Sequence, residues 1–316
     1  MNSPCHPCVN VTGVTAPFYK EAFLFSFERG EEMKSDCHMH MLLDGVDWRK
    51  AIDGHRDGPD TVLIRQRLEA YAQAGFDYLR DGGDRWGVGL ASREMAGEYG
   101  ITYRTPLAPL CLAGHYGAFI GKKYSDLKEY TEFVREIRRD GGDFVKIMIS
   151  GLMDFDRYGV LTEPGLEPAL IRELIHIAHE EGFAVMAHAN GARTAEAAAL
   201  AGVDSIEHGA YLDDDALQAM KETGTIWCPT ISTVADLRGK GRFREEAVQR
   251  ITADTSRKIA RYADMGGLIA PGSDAGAWAV RHTAGSLDEY SHLSSILGKQ
   301  SEEILERGAC AVRERF

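Results

Sequence analysis

Residues 167–191 read EPALIRELIHIAHEEGFAVMAHANG, and this stretch contains one helix followed by one strand. Pro168 suits the first turn of a helix, and the apolar residues after it recur every three or four positions, as on one buried face. That face consists of Leu170, Leu174, Ile177 and Ala178. Gly182 marks the end of the helix, and the apolar run that follows predicts a buried strand ending at His188. A helix leading directly into a buried strand is typical of a parallel α/β fold.

The same alternation continues on both sides of this stretch, from residue 35 onward. Strands are predicted at residues 35–40, 76–80, 101–107, 144–149, 183–188, 205–208, 225–230 and 267–272. Helices are predicted between them, among them residues 62–74, 127–139, 168–181, 194–201, 214–222 and 245–265. Eight strands alternating with helices favour a closed (β/α)8 TIM barrel over an open doubly wound sheet, which usually has fewer strands. We therefore expect a barrel domain at residues 34–316 and an aromatic-rich extension at residues 1–33 that packs on it.

The composition excludes several classes of function. The 316 residues carry a formal net charge of −12, whereas nucleic-acid binders usually gather basic residues on one face. No apolar run is long enough to span a membrane, and the first residues lack the features of a signal peptide. The six cysteines are scattered, and the C-x-x-C pair Cys5 and Cys8 has no second ligand pair nearby. We expect a cytoplasmic protein without disulfides that acts on a small molecule and binds neither nucleic acid nor membrane.

Potential metal ligands lie where the predicted strands end. His38 and His40 end the first strand and project to the same side, because alternate residues of a strand share a face. His188 and His208 end the fifth and sixth strands, and Asp274 follows the eighth. Each residue alone has an ordinary explanation, such as a helix cap for Asp274. Catalytic residues of (β/α)8 barrels come from the carboxyl ends of the strands, so the ordered set predicts a metal site.

Lys146 lies in the middle of the apolar segment DFVKIMISG, residues 143–151. A buried ammonium group loses several kcal/mol of hydration unless it is paired or neutralised. One explanation for a lysine in this apolar strand is a salt bridge to a neighbouring helix. The other is that Lys146 is part of the metal site.

The chain resembles the amidohydrolase superfamily in its binuclear form, over about residues 34 to 285. The resemblance depends on DCHMH at 36–40, VKIMISG at 145–151, VMAHANG at 185–191, SIEHGAYLDDD at 205–215, CPT at 228–230 and PGSDAG at 271–276. It implies that His38, His40 and Asp274 bind one divalent ion and that His188 and His208 bind a second. Lys146, carbamylated by carbon dioxide, would bridge both ions together with a hydroxide. Zinc is the expected ion, although manganese, iron or cobalt could substitute.

The resemblance also implies a reaction. The bridging hydroxide would attack a scissile carbonyl, and Asp274 would act as general acid and base. The segment YLRDGGD and the motifs around Lys146 and His208 are most similar to prolidase-like dipeptidases, which implies hydrolysis of a dipeptide or N-acyl amino acid. In that group, the positions of His115 and Tyr211 contact the substrate. Relatives of this kind often form homo-oligomers.

The sequence departs from the prolidase-like pattern in three places. The accessory β-sandwich of typical relatives is absent or vestigial, Asn190 replaces another residue after the strand-5 histidine, and the last helix reads GACAVRERF. Three alternatives therefore stay open: a lactone, cyclic amide or organophosphate hydrolase with the same binuclear site, a deaminase using Glu196, and a noncatalytic metal-binding barrel. The acidic run at residues 213–215 is interpreted as a helix start, because negative charge is favourable there.

Overall fold

The computed structural model describes residues 33–316, so the prediction that the N-terminal extension packs on the barrel lies outside the described residues, as do Cys5 and Cys8. The strands are β1 (Lys34–Met39), β2 (Phe76–Asp81), β3 (Thr102–Arg104), β4 (Leu110–Leu112), β5 (Lys122–Tyr124), β6 (Val145–Met148), β7 (Val185–Ala189), β8 (Ser205–His208), β9 (Ile226–Cys228) and β10 (Leu268–Ile269). The first helices are α1 (Trp48–Gly54), α2 (Thr61–Gln73), α3 (Val88–Ala96), α4 (Leu127–Arg139), α5 (Pro168–Glu180) and α6 (Ala192–Leu200). The later helices are α7 (Asp214–Thr223), α8 (Ser232–Ala235), α9 (Glu245–Asp264), α10 (Ala284–Leu297) and α11 (Ser301–Arg315).

All of the strand pairs within the two sheets are parallel. One sheet has the order β1-β2-β3 and the other the order β10-β9-β8-β7-β6-β4-β5. Each of the eight predicted strands overlaps an observed one, whereas β4 and β5 were not predicted. These two strands have three residues each and lie outside the alternation of longer apolar runs and helices from which the other strands were predicted. The architecture is a mixed α/β fold with parallel sheets.

Backbone hydrogen bonds connect the two sheets at two places. Beside β1, the amide of Cys37 donates to the carbonyl oxygen of Pro271 at 2.8 Å, and the amide of His40 donates to Ala275 at 2.8 Å. Beside β3, the amide of Asp143 donates to the carbonyl oxygen of Thr105 at 2.9 Å, just before β6 begins. The first connection brings the carboxyl end of β1 next to the segment that follows β10.

The helices cover the sheets in the way that the sequence pattern predicts. In α5, Pro168 occupies the first turn, and the buried face consists of Ile171, Leu174, Ile175 and Ala178. Leu170 and Ile177, which were expected on that face, are only partly buried. They lie at the edge of an apolar stripe that is wider than the buried face itself. The predicted helix start in the acidic run is confirmed, since the carboxylate of Asp213 accepts a hydrogen bond from the amide of Ala216 at 2.9 Å.

Two further sequence predictions can be compared with the described part of the chain. Cys37, Cys111 and Cys228 are buried thiols, in agreement with the absence of a disulfide framework there. None of the helices at residues 33–316 has both the length and the apolar character needed to cross a membrane.

Candidate metal centre

Three of the expected ligands meet where β1 ends and the segment after β10 begins. The amide of Asp274 donates to the carbonyl oxygen of His38 at 2.6 Å, so the backbones of the two segments fix the carboxylate beside the histidines. Oδ1 of Asp274 lies 3.6 Å from Nε2 of His38 and 3.5 Å from Nε2 of His40. Both imidazoles are buried, and the Asp274 side chain is 15% exposed.

The histidines of β7 and β8 complete the same cluster. The ring centroid of His208 lies 5.1 Å from that of His38 and 4.6 Å from that of His188. Ligand atoms of His38, His208 and Asp274 all lie within 4.8 Å of one another. One side chain from each of three strand ends therefore contributes a donor atom to a common point.

Lys146 lies in the interior of β6 and is 1% exposed. Its Nζ has no hydrogen-bond partner among the described residues. Burial lowers its pKa to about 8, and the negative charges of Glu207 and Asp274 only partly oppose this effect. The amine is therefore buried within electrostatic reach of the cluster, but no described side chain makes a direct hydrogen bond with it.

The electrostatics of the cluster favour neutral imidazoles. Burial is the main cause that lowers the pKa of each histidine, to about 3 for His40 and His188, and the charge of Lys146 adds to the effect. Burial raises the pKa of Asp274 to about 7, with Lys146 acting in the opposite direction. Neutral imidazole is the form that binds a cation, so these histidines need not lose a proton first.

Strained backbone conformations occur at the cluster. His208 has a φ of 68°, Asp274 of 57° and Thr230 of 46°, in the left-handed region that residues with a side chain seldom adopt. Such conformations cost of order 1–3 kcal/mol each and persist where the surrounding structure imposes them, often at functional sites. Two candidate ligands and a residue that contacts one of them share this property.

Sequence reasoning missed the charged residues that hold His38. Nδ1 of His38 lies 2.8 Å from Oε2 of Glu207, and Oε1 of Glu207 pairs with the Arg80 guanidinium at 3.0 Å. Nε of Arg80 also donates to the carbonyl oxygen of Cys37 at 2.6 Å. Glu207 and Arg80 are fully buried. A carboxylate on the outer nitrogen of a ligating histidine fixes the ring orientation and increases its basicity.

The histidines of β7 and β8 are held by neutral groups, whereas Nδ1 of His40 has no hydrogen-bond partner among the described residues. Nδ1 of His208 lies 2.7 Å from the hydroxyl of Thr230, and Nε2 of His188 lies 3.1 Å from the carbonyl oxygen of Gly151. Asn190, noted as a departure from the prolidase-like pattern, donates to the same carbonyl at 3.0 Å and accepts from the amide of Ala210 at 2.9 Å. Asn190 thus connects the loops that follow β6, β7 and β8.

The two predicted substrate residues lie outside this network. Nδ1 of His115 pairs with Glu163 at 3.1 Å, and the ring of Tyr211 packs against that of Tyr158 at 5.4 Å. The residue after His115 packs against a candidate ligand, since the ring centroid of Tyr116 lies 4.9 Å from that of His188. The resemblance alone implies a substrate contact for His115, and the sequence pattern does not distinguish His115 from Tyr116.

Comparison with known proteins places the fold in context. No protein-family model matches the chain. The Aspergillus niger protein named ochratoxinase is 28% identical over 195 residues, a match that covers 58% of this chain and 38% of that protein. The chain thus spans well under half of that curated relative.

Solved structures give a broader match. The crystal structure of a Xaa-Pro dipeptidase with bound methionine in the active site aligns with a TM-score of 0.69 and 22% identity, over 89% of this chain and 75% of that one. The crystal structure of A. niger ochratoxinase aligns with a TM-score of 0.70 and 20% identity, over 89% and 70%. The chain therefore has the fold of these two structures, in agreement with the prolidase-like resemblance found in the sequence.

Proposed function

We propose that the chain is a metal-dependent hydrolase that cleaves an amide bond in a dipeptide or an N-acyl amino acid. The observation that supports this proposal is that the amine of Lys146, buried and without a hydrogen-bond partner in the described structure, interacts electrostatically with four buried imidazoles and with Asp274. A hydrophobic core would gain nothing from this cationic group, whereas a carbamate on it would supply oxygen ligands. Relatives named as a Xaa-Pro dipeptidase and as an ochratoxinase support a hydrolase at the level of the family.

The two sheets are also proposed to close into a single barrel. We infer that the two parallel sheets form one (β/α)8 barrel, with β4 and β5 as an excursion between the third and fourth barrel strands. The hydrogen bonds from Cys37 to Pro271 and from Asp143 to Thr105 support it, because they join the edges that a barrel must join. In such a barrel the six side chains belong to the catalytic face.

The donor set suits two divalent ions. His38, His40 and Asp274 would hold one ion, His188 and His208 would hold the other, and Lys146 as a carbamate would bridge them. Buried imidazoles with lowered pKa values and an unpartnered amine fit zinc better than magnesium or calcium, which prefer oxygen ligands throughout. When bound, the ions supply Lewis acidity toward the scissile carbonyl and lower the pKa of water.

The protein's own groups would carry the proton. Oδ1 of Asp274 lies at the centre of the cluster, 3.5 to 3.6 Å from two imidazole nitrogens. It would accept a proton from the attacking water and deliver it to the leaving nitrogen. Glu207 would keep the Nδ1 proton of His38 in place. His115 would contact the substrate carboxylate through Nε2, since Nδ1 pairs with Glu163, and Tyr211 would donate to the carbonyl oxygen.

A substrate screen of the full chain, loaded with zinc and bicarbonate, tests the proposal. The substrates are dipeptides, N-acyl amino acids, lactones and cyclic amides. Hydrolysis confined to amides with a free α-carboxylate supports the proposal, whereas turnover of lactones or cyclic amides alone would overturn the substrate class.

The variant Asp274→Asn keeps an oxygen donor at the ligand position, so at saturating zinc, checked by elemental analysis, it should still bind the metal but lose most of kcat. An Asp214→Asn variant is a matched control, because Asp214 lies in the first turn of α7 and has a side chain that is 69% exposed. Full activity in Asp274→Asn would refute the role of that carboxylate. A wild-type chain that binds zinc but hydrolyses none of the substrates would favour a noncatalytic barrel.

A further inference from the structure

A line of aromatic rings leads from the candidate metal centre to the surface. The ring of His188 lies 4.9 Å from Tyr116, Tyr116 lies 5.9 Å from Phe119, and Phe119 lies 5.4 Å from Trp48, measured between centroids. Trp48 is 40% exposed. We call Tyr116, Phe119 and Trp48 the aromatic wall.

The loop that carries Tyr116 and Phe119 is held close to the centre. Gly117 has a φ of 110°, and a Cβ at this position would lie 2.6 Å from Cγ of Met148 in β6. Only glycine permits this approach. The amides of Ile120 and Gly121 donate to the carbonyl oxygen of Gly117 at 3.2 and 2.9 Å, so the turn between the two rings is fixed.

The loop that carries Trp48 is equally well defined. The carboxylate of Asp47 accepts from the amides of Arg49 and Lys50 at the start of α1, which fixes the backbone of Trp48. The amide of Gly45 donates to the carbonyl oxygen of Gly276 at 3.0 Å, two residues after Asp274. The loop therefore starts at the ligand His40 and is attached beside another candidate ligand.

Two large apolar side chains are exposed around the start of α1, and the guanidinium of Arg49 lies over the Trp48 ring, 4.2 Å from its centroid. Val46 is 56% exposed, two positions before Trp48, and both are among the few large apolar side chains exposed in the described part of the chain. Exposed apolar side chains beside a polar catalytic cluster are typical of a substrate pocket, where aromatic groups supply contact area and a few polar groups fix orientation.

We propose that the aromatic wall binds an aromatic or large apolar group of the substrate, so that the enzyme prefers amides carrying such a group on one side of the scissile bond. The inference rests on the proposed amide hydrolysis and narrows its substrate class. Rings offer a flat surface for offset or edge-to-face contact with a substrate ring, and such contacts add to the burial of apolar area.

Paired substrates of the zinc-loaded enzyme test the preference. N-benzoyl-L-alanine is compared with N-acetyl-L-alanine, and L-alanyl-L-phenylalanine with L-alanyl-L-alanine. In at least one pair, kcat/KM should be about tenfold higher for the aromatic member, the factor expected for one good aromatic contact. Trp48→Ala and Phe119→Ala should reduce this ratio several-fold. Leu200→Ala should leave it unchanged, since Leu200 is a large apolar side chain, 66% exposed, at the end of α6.

A binding measurement shows whether the aromatic wall binds an aromatic group even if the protein does not catalyse the proposed reaction. In metal-depleted protein, N-(4-nitrobenzoyl)-L-alanine should quench tryptophan fluorescence, and Trp48→Phe should lose most of that quenching. Absence of quenching from Trp48, or aromatic and aliphatic substrates with equal kcat/KM, would overturn the inference. A changed sedimentation coefficient in Trp48→Ala with an unchanged substrate ratio would also overturn it, because the wall would then be an interface between copies of the chain.

Discussion

Replacing Lys146 with methionine should raise the thermal stability of the metal-free protein and lower that of the metal-loaded protein. In the metal-free chain, burial lowers the pKa of Lys146 from 10.5 to about 8. The unfolded chain therefore binds this proton more tightly than the folded chain does. The resulting loss of stability is fully present below pH 8 and disappears as the pH rises above 10.5.

The size of this loss in the free energy of unfolding follows from the pKa shift of Lys146. At about 1.4 kcal/mol per pKa unit, the interval from 10.5 to about 8 corresponds to about 3 kcal/mol of the free energy of unfolding at pH 7. Methionine has a similar length and no charge, so metal-free Lys146→Met should unfold at a temperature higher by on the order of 5 °C. Zinc and bicarbonate should stabilise the wild type and have little effect on the variant, since the bridging group is missing.

Thermal unfolding of both proteins, with and without zinc and bicarbonate, checks this prediction. Ile147→Val is a matched control in the same strand, because it removes one buried methyl group and should destabilise the protein by about 1 kcal/mol in both conditions. A metal-free Lys146→Met protein that is less stable than the wild type would refute the reasoning, since Lys146 would then have a stabilising partner in the metal-free state.

Three further predictions concern the surroundings of the cluster. Glu207→Gln should weaken zinc binding by about 10- to 100-fold in competition with a chelator, because His38 loses its anionic partner at 2.8 Å; an unchanged affinity would argue against this role. Gly82→Ala should lower the zinc content, because a methyl group there overlaps the ring of His40, whereas Gly54→Ala has no neighbour within 4 Å and should keep full zinc content. Burial raises the pKa of Glu289 from 4.5 to about 8, so the folded chain binds this proton more tightly and stability falls as the pH rises through that interval. In Glu289→Gln the unfolding temperature should therefore change less with pH between 5 and 8 than in the wild type. An equally steep change with pH would contradict this assignment.

The fold could be predicted from the sequence where local pattern and tertiary packing agree. The strand ending at His188 is a continuous apolar run bounded by Gly182 and Gly191, and it becomes β7 within one or two residues of the expected limits. The short strands β4 and β5 could not be predicted in the same way, because the pairing of Leu110–Leu112 with Lys122–Tyr124 depends on a connecting loop that packs closely on β6, a tertiary contact that the local sequence does not show.

The residues that contact substrate could not be ranked from the sequence. His115 and Tyr116 are adjacent, and either could face the centre, because a loop without regular dihedral angles does not fix the direction of a side chain. The close approach of Gly117 to Met148 determines which ring reaches His188, and that approach depends on tertiary structure. Tyr211 has a φ of 62°, which also could not be inferred from its position after His208.

The partners of the buried basic residues Arg80 and Lys146 could not be predicted from the sequence either. In the sequence, Lys146 lies in an apolar strand and Arg80 in a strand that also contains two aspartates, and a buried charge predicts a partner without naming it. The structure separates them: the guanidinium of Arg80 lies 3.0 Å from Glu207, whereas Nζ of Lys146 has no hydrogen-bond partner in the described part of the chain. Arg80 therefore has a buried counterion and supports His38 through it. Lys146 has no such contact among the described residues, and the charges of Glu207 and Asp274 only partly offset its burial. This difference is the strongest physical reason to look for a carbamate on its amine.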